Sequence, residues 1–317
     1  VTACALAGCI PPASPGPVET DPVPGRGRVP GVDVAPSAGC TAEDRWGPGN
    51  RTAEVRVGQR VRRVRVTVPD GWTGPRPLLF SLHPFSVRPS DWERYSRLAA
   101  AAAARGYVVI TPTGSAPGPR WAVPGGLDTG ADDLGYLAAA ADLVEDHTCV
   151  DRNRLFAAGF SAGAAMSQAL SCTMPWRVAA VAASGGANLT DRCPGSAPTD
   201  VLVLHGSADP IAPTTGSRVI FAPPLGLSLD DVVATNAARA GCAATPETEV
   251  RSPTVRIDRY TGCAGGHRVE SWRLLGMGHT WPGSTNPLLE LVTGPTSTEV
   301  SANEVVLDFF DATRPLG

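Results

Sequence analysis

The chain has 317 residues, a formal net charge of −3, and basic side chains that are all arginine, 27 of them against 30 acidic residues. That length suits one domain with a tail as well as two domains. The slightly acidic balance and the lack of arginine clusters among exposed aromatics exclude a nucleic-acid partner, and no apolar run approaches the ~20 residues of a membrane helix.

In chain order, VTACALAGC leads to Leu6-Ala7-Gly8-Cys9. Small and apolar residues before a cysteine resemble the lipobox of a bacterial lipoprotein signal, so residues 1–8 read as a signal-peptide remnant and Cys9 as the lipidation site. Attachment to a membrane would run through that lipid; a simply secreted form is the alternative. From residue 9 to 39 the Pro and Gly density resists helix and sheet and predicts a disordered tether, with a single folded domain over 40–317. Within that domain, VRVGQRVRRVRVTV (55–68) alternates valine and arginine around Gly58, the pattern of a half-exposed hairpin. Short apolar runs at 78–82, 107–111, 154–159, 178–183, 201–205 and 269–275 read as central strands covered on both faces. Helices are expected at 91–105, 132–147, 162–171 and 229–240, and at 302–313 after a Ser301-x-x-Glu304 capping box. This alternation predicts an α/β fold with a mostly parallel central sheet flanked by helices.

The eight cysteines form no C-x-x-C pair and no histidine lies at ligand spacing from them, which disfavours a metal site and favours disulfides in an oxidising, extracytoplasmic compartment. Cys242 and Cys263 flank a short extended segment and are the best single pairing. Spacing leaves the pairing of Cys40, Cys149, Cys172 and Cys193 open.

Gly159-Phe160-Ser161-Ala162-Gly163 matches G-x-S-x-G at the point where the apolar run LFAAGF gives way to a helix-like stretch, the placement a nucleophile elbow requires. A serine hydroxyl needs a base, and the base a carboxylate to orient it. Asp209 follows the strand VLVLHG, and His279 lies in a Gly-flanked loop after the last strand, giving the order Ser, Asp, His. Asp230 and Asp231 read as helix-start acids. Among the other histidines, His147 ends a helix and His267 lies in a polar hairpin tip, both read as surface residues; His205 is assigned a hydrogen-bonded structural role. For the oxyanion, the amide of Ala162 is the natural first donor, and the loop His83-Pro84-Phe85-Ser86 supplies Phe85 as the second, since Pro84 has no N–H. Trp281 and Trp121 either line a substrate cleft or belong to the core.

SAGC at the domain start, CVDRNRLFAAGFSAGAAMS, ALSC, HGSADPIAP, YTGC and GMGHTWPG together resemble the secreted esterases that group feruloyl esterases with polyhydroxybutyrate depolymerases, over about residues 37–310. The resemblance implies an α/β-hydrolase fold, Ser161 as nucleophile, Asp209 as acid, His279 as base, no cofactor, and disulfides from all six domain cysteines. HPFS replaces the Gly-containing loop usual in that family. The resulting expectation is a monomeric extracytoplasmic carboxylic-ester hydrolase acting through an acyl-enzyme on feruloyl or similar aryl esters of plant polysaccharide. Polyhydroxyalkanoate depolymerisation is the alternative, and a non-catalytic lipid-anchored binding protein is the alternative of another class.

Overall fold

The valine and arginine alternation forms a hairpin. In the computed structural model, β1 (Gly49–Val57) and β2 (Arg60–Val68) pair antiparallel across Gly58, whose φ of 57° is the left-handed geometry a tight hairpin needs. Val64, Val66 and Val68 face the core, while Arg65 and Thr67 between them are half-buried on the other face. The structure describes residues 34–115, 118–125, 130–190, 193, 195–216 and 227–316; the lipobox with Cys9, and the tether up to residue 33, lie outside the described residues.

Residues 34–39, assigned to the tether on composition, are instead part of the folded domain. Pro36 bridges Asp151, and the Ser37 hydroxyl both donates to Thr148 O (2.7 Å) and accepts from Val150 N (3.1 Å). Their Pro and Gly content hid a short extended segment that satisfies its polar groups on a neighbouring strand.

Ten strands make one sheet in the order β1-β2-β4-β3-β5-β6-β7-β10-β9-β8. The remaining strands are β3 (Arg76–Leu82), β4 (Val108–Pro112), β5 (Val150–Phe160), β6 (Val178–Ser184), β7 (Asp200–Gly206), β8 (Glu247–Ser252), β9 (Val255–Tyr260) and β10 (Val269–Leu274). β4, β3, β5, β6, β7 and β10 run parallel, while the β1–β2 and β8–β9 hairpins flank them antiparallel. Alternate residues of the central strands enter opposite cores: Leu78, Phe80 and Leu82 pack on one face and Leu79 on the other. Burial on both faces is why these strands read as continuous apolar runs.

The helices are α1 (Pro89–Ser96), α2 (Leu98–Ala104), α3 (Asp133–His147), α4 (Ala162–Thr173), α5 (Leu229–Arg239), α6 (Pro287–Thr293) and α7 (Ala302–Asp311). The single helix expected over 91–105 is broken at Arg97, which adopts φ 55°. Asn303 of α7 donates to Ser96 O (2.8 Å), and the Ser96 hydroxyl accepts from Leu98 N (3.2 Å), so local side chains take over polar groups near the junction. The segment between Cys242 and Cys263 is the β8–β9 hairpin rather than one extended stretch, and α6 has no counterpart in the sequence reading.

All six domain cysteines are paired: Cys40–Cys149, Cys172–Cys193 and Cys242–Cys263. Cys40–Cys149 spans 109 residues of chain and Cys242–Cys263 spans 21. On loop-closure entropy, replacing both cysteines of the first pair by serine lowers stability about 1–2 kcal/mol more than the same change in the second. Urea unfolding of the two double variants measures the difference.

Candidate active site

The elbow is built by close backbone approach. Ser161 stands between β5 and α4 with φ 55° and ψ −119°, a conformation that costs about 1–3 kcal/mol for a non-glycine residue and persists only where the surroundings over-determine it. Here they do. A side chain at Gly159 would overlap the Gly163 carbonyl, one at Gly163 the Leu82 carbonyl, and one at Gly186 the Ser161 carbonyl. The Ser161 amide donates to Ser184 O at the end of β6 (2.9 Å), and its carbonyl starts α4 by accepting from Ala165 N (3.0 Å). The two glycines of G-x-S-x-G are therefore a packing requirement, and together with Gly186 they let β3, β5 and the loop after β6 close on one serine.

Asp209 and His279 meet because the loops after β7 and β10 are laced together. Ala208 N donates to Met277 O (3.0 Å), Ser207 N to Leu274 O (3.0 Å) and Gly276 N to the Ser207 hydroxyl (2.9 Å). His279 is fixed from the other side, its amide donating to Thr293 O at the end of α6 (2.6 Å). Asp209 Oδ2 accepts from His279 Nδ1 at 2.7 Å, and Oδ1 from the amides of Ile211 (2.8 Å) and Ala212 (2.7 Å). Burial raises the Asp209 pKa, but hydrogen bonds from His205, His279 and the Ala212 amide outweigh it and hold the carboxyl well below the usual carboxylate range. With Nδ1–H engaged, His279 keeps the Nε2 lone pair free to accept a proton.

Two contacts bring this pair to the elbow. The His279 ring lies 4.7 Å, centroid to centroid, from that of Phe160, the residue before Ser161. A Cβ on Gly185 would stand 3.5 Å from His279 Nδ1, and the next residue, Gly186, abuts the Ser161 backbone. Among the described residues no hydrogen bond joins the Ser161 hydroxyl to His279; such bonds are often long until substrate is bound.

Ala162 is the first residue of α4, where the amide has no intrahelical acceptor. Phe85 lies on the loop after β3, two residues past the carbonyl of His83 that adjoins Gly163, and its ring is half exposed beneath the Arg120 guanidinium (5.4 Å). Trp281 and Trp121 are placed in the core, each 1% exposed, so neither offers a face to a cleft. Trp281 packs edge-on to Trp92 (5.2 Å) and donates to Asn303 Oδ1 (3.1 Å). Of the remaining histidines, His147 pairs with Asp44 (3.0 Å), His267 with Asp200 (2.9 Å), and His205 bonds Ala212 O (2.7 Å) while lying 3.4 Å from Asp209.

His83, which sequence reasoning left without a role, organises the loop that carries Phe85. Its Nδ1 donates to Pro84 O (2.8 Å), its Nε2 accepts from Gly114 N (2.9 Å), and Trp121 stacks on the ring (4.7 Å) while donating to His83 O (2.9 Å). A histidine closing an otherwise apolar strand was the available signal. Burial pushes its pKa down from 6.5 to about 4, the backbone bond to Pro84 opposing that shift and nearby Arg62 adding to it.

A depressed folded-state pKa means that His83's contribution is fully present above pH 6.5 and is lost as pH falls through about 4. Urea unfolding at these two pH values is expected to show up to about 3 kcal/mol lost from this group, with its share of the slope absent in His83→Gln.

Comparison with known proteins places this architecture. The family model described as phospholipase/carboxylesterase matches residues 138–220. The putative esterase NocK of Nocardia uniformis subsp. tsuyamanensis is 30% identical over 98% of this chain and 94% of its own length. Feruloyl esterase B of Piromyces equi is 32% identical over 69% of this chain, which spans 42% of that protein's length. In fold, the acetyl xylan esterase from Aspergillus awamori superposes with a TM-score of 0.55 over 73% of this chain and 94% of its own, at 15% identity. The chain belongs to the α/β-hydrolase family of carboxylic ester hydrolases that includes the feruloyl esterases.

Proposed function

We propose that this protein hydrolyses carboxylic esters through Ser161, His279 and Asp209. His279 Nε2 takes the Ser161 proton as the oxygen attacks the ester carbonyl. The tetrahedral oxyanion is held by the amides of Ala162 and Phe85, and its collapse expels the alcohol, which receives the proton from His279. Water, deprotonated by the same imidazole, then attacks the acyl-enzyme, and its collapse releases the acid and restores Ser161. Asp209 stays ionised throughout and stabilises the imidazolium. The observation that carries this reading is the buried Asp209–His279 bond standing against the residue that precedes a strained, glycine-encased serine. The substrate class we propose is a feruloyl or similar aryl ester of plant polysaccharide, supported by the feruloyl esterases among the relatives. Three disulfide pairs favour an extracytoplasmic location, and the lipobox at Cys9 gives a route to the cell surface.

Ser161→Ala is expected to lower turnover of a p-nitrophenyl ester by roughly four to six orders of magnitude with unchanged circular dichroism. Asp209→Asn is expected to cost about four orders. A fluorophosphonate probe should label wild type at Ser161; absence of labelling in folded protein would favour a non-catalytic binder.

A further inference from the structure

Asp209 has a histidine on either side. His279 reaches it from the loop after β10, and His205 from the penultimate residue of β7. Both rings bear on the same oxygen: His279 Nδ1 lies 2.7 Å from Asp209 Oδ2, and His205 Nε2 lies 3.4 Å from it. Proximity to the carboxylate therefore does not decide which ring takes a proton during the reaction; the surroundings of the other atoms do.

His205 Nε2 carries the proton of its ring, because its shorter contact is with the Ala212 carbonyl (2.7 Å), which can only accept. Its Nδ1 is buried and, among the described residues, has no partner. A proton on Nδ1 would be a donor sealed from water with nothing to receive it, so the ring is held as the neutral Nε2–H tautomer. The same N–H closes a turn. Ala212 is bonded through both of its backbone groups, the carbonyl accepting from His205 and the amide donating to Asp209 Oδ1 (2.7 Å) beside the amide of Ile211 (2.8 Å). Both His205 and Asp209 have fully buried side chains, and His205 belongs to a strand paired with β10 through Arg273. The turn from 209 to 212 is thus tied to the sheet by one imidazole.

We infer that His205 is a positioning residue of the hydrolytic site: its Nε2–H fixes the 209–212 turn, and with it the plane of the carboxylate, so that Oδ2 faces His279 Nδ1. Because the His205 ring stays neutral, the whole charge of Asp209 remains to stabilise the imidazolium that forms at His279. The inference rests on the ester-hydrolase reading for the reaction it serves.

One test needs no substitution. In the 15N NMR spectrum of the full wild-type chain at about pH 8, the protonated ring nitrogen is expected to be Nε2 in His205 and Nδ1 in His279. A His205 protonated at Nδ1, alone or in addition, would overturn the inference. The second test is kinetic. His205→Phe keeps a ring and removes the donor, while His205→Gln returns an N–H close to the Nε2 position. On a p-nitrophenyl ester, His205→Phe is expected to lower kcat about tenfold or more with KM little changed, and His205→Gln to recover most of that loss, thermal melts verifying that both are folded. Since His205 acts through Asp209, the penalty of His205→Phe should shrink to less than about twofold in an Asp209→Asn background. Equal losses in the two His205 variants, an undiminished penalty beside Asp209→Asn, or wild-type kcat in folded His205→Phe would each overturn the inference and leave the triad standing, provided that Asp209→Asn alone is crippled. Wild-type turnover in Asp209→Asn would instead sink the triad, and the role of His205 with it.

Discussion

The buried hydrogen bond between Asp209 and His279 is the constraint to which the rest of this edge of the molecule answers. A carboxylate taken out of water costs several kcal/mol unless its lone pairs are occupied, and here four donors converge on it: two backbone amides, the candidate base, and His205 at longer range. That satisfaction depends on backbone. The loops after β7 and β10 exchange hydrogen bonds because those strands are parallel neighbours in the sheet, paired from Val269 with Val201 to Leu274 with Gly206. A shift of register there would move Asp209 away from the imidazole, so the chemistry proposed for the site inherits its precision from sheet pairing.

On the other side of His279 the constraint is steric. The serine backbone is held at a positive φ by strands and loops that approach to the limit glycine allows, at Gly159, Gly163 and Gly186. Rigidity of this kind fixes the hydroxyl and the Ala162 amide in one frame, since Ser161 caps α4 and Ala162 begins it. The Phe85 loop is held in a different way, through the neutral ring of His83, which links the segments after β3 and β4.

Much of this was legible in the sequence, and for physical reasons. Strands buried on both faces announce themselves as short apolar runs, the hairpin as alternation around Gly58, and Ser161, Asp209 and His279 as polar residues at strand ends among small ones. What escaped was whatever depends on contacts between distant segments. Nothing local shows that Asn303 will take the Ser96 carbonyl and Arg97 will break a helix, or that Trp121 and Trp281 will be sealed in the core. Nor does proline-rich composition disclose that residues 34–39 lie against β5. The pairings Cys40–Cys149 and Cys172–Cys193 likewise follow from the three-dimensional path of the chain.

The Cys40–Cys149 bridge has a mechanical side. A pull on the segment preceding residue 34 reaches the Pro36–Asp151 bridge and then a covalent link to the start of β5, the strand that ends at Ser161. Tension thus enters at the middle of the sheet and bypasses the peripheral β1–β2 hairpin, which would otherwise unzip strand by strand. A molecule tethered by its leading end and dragged by a substrate too large to diffuse would bear the load along its stiffest line.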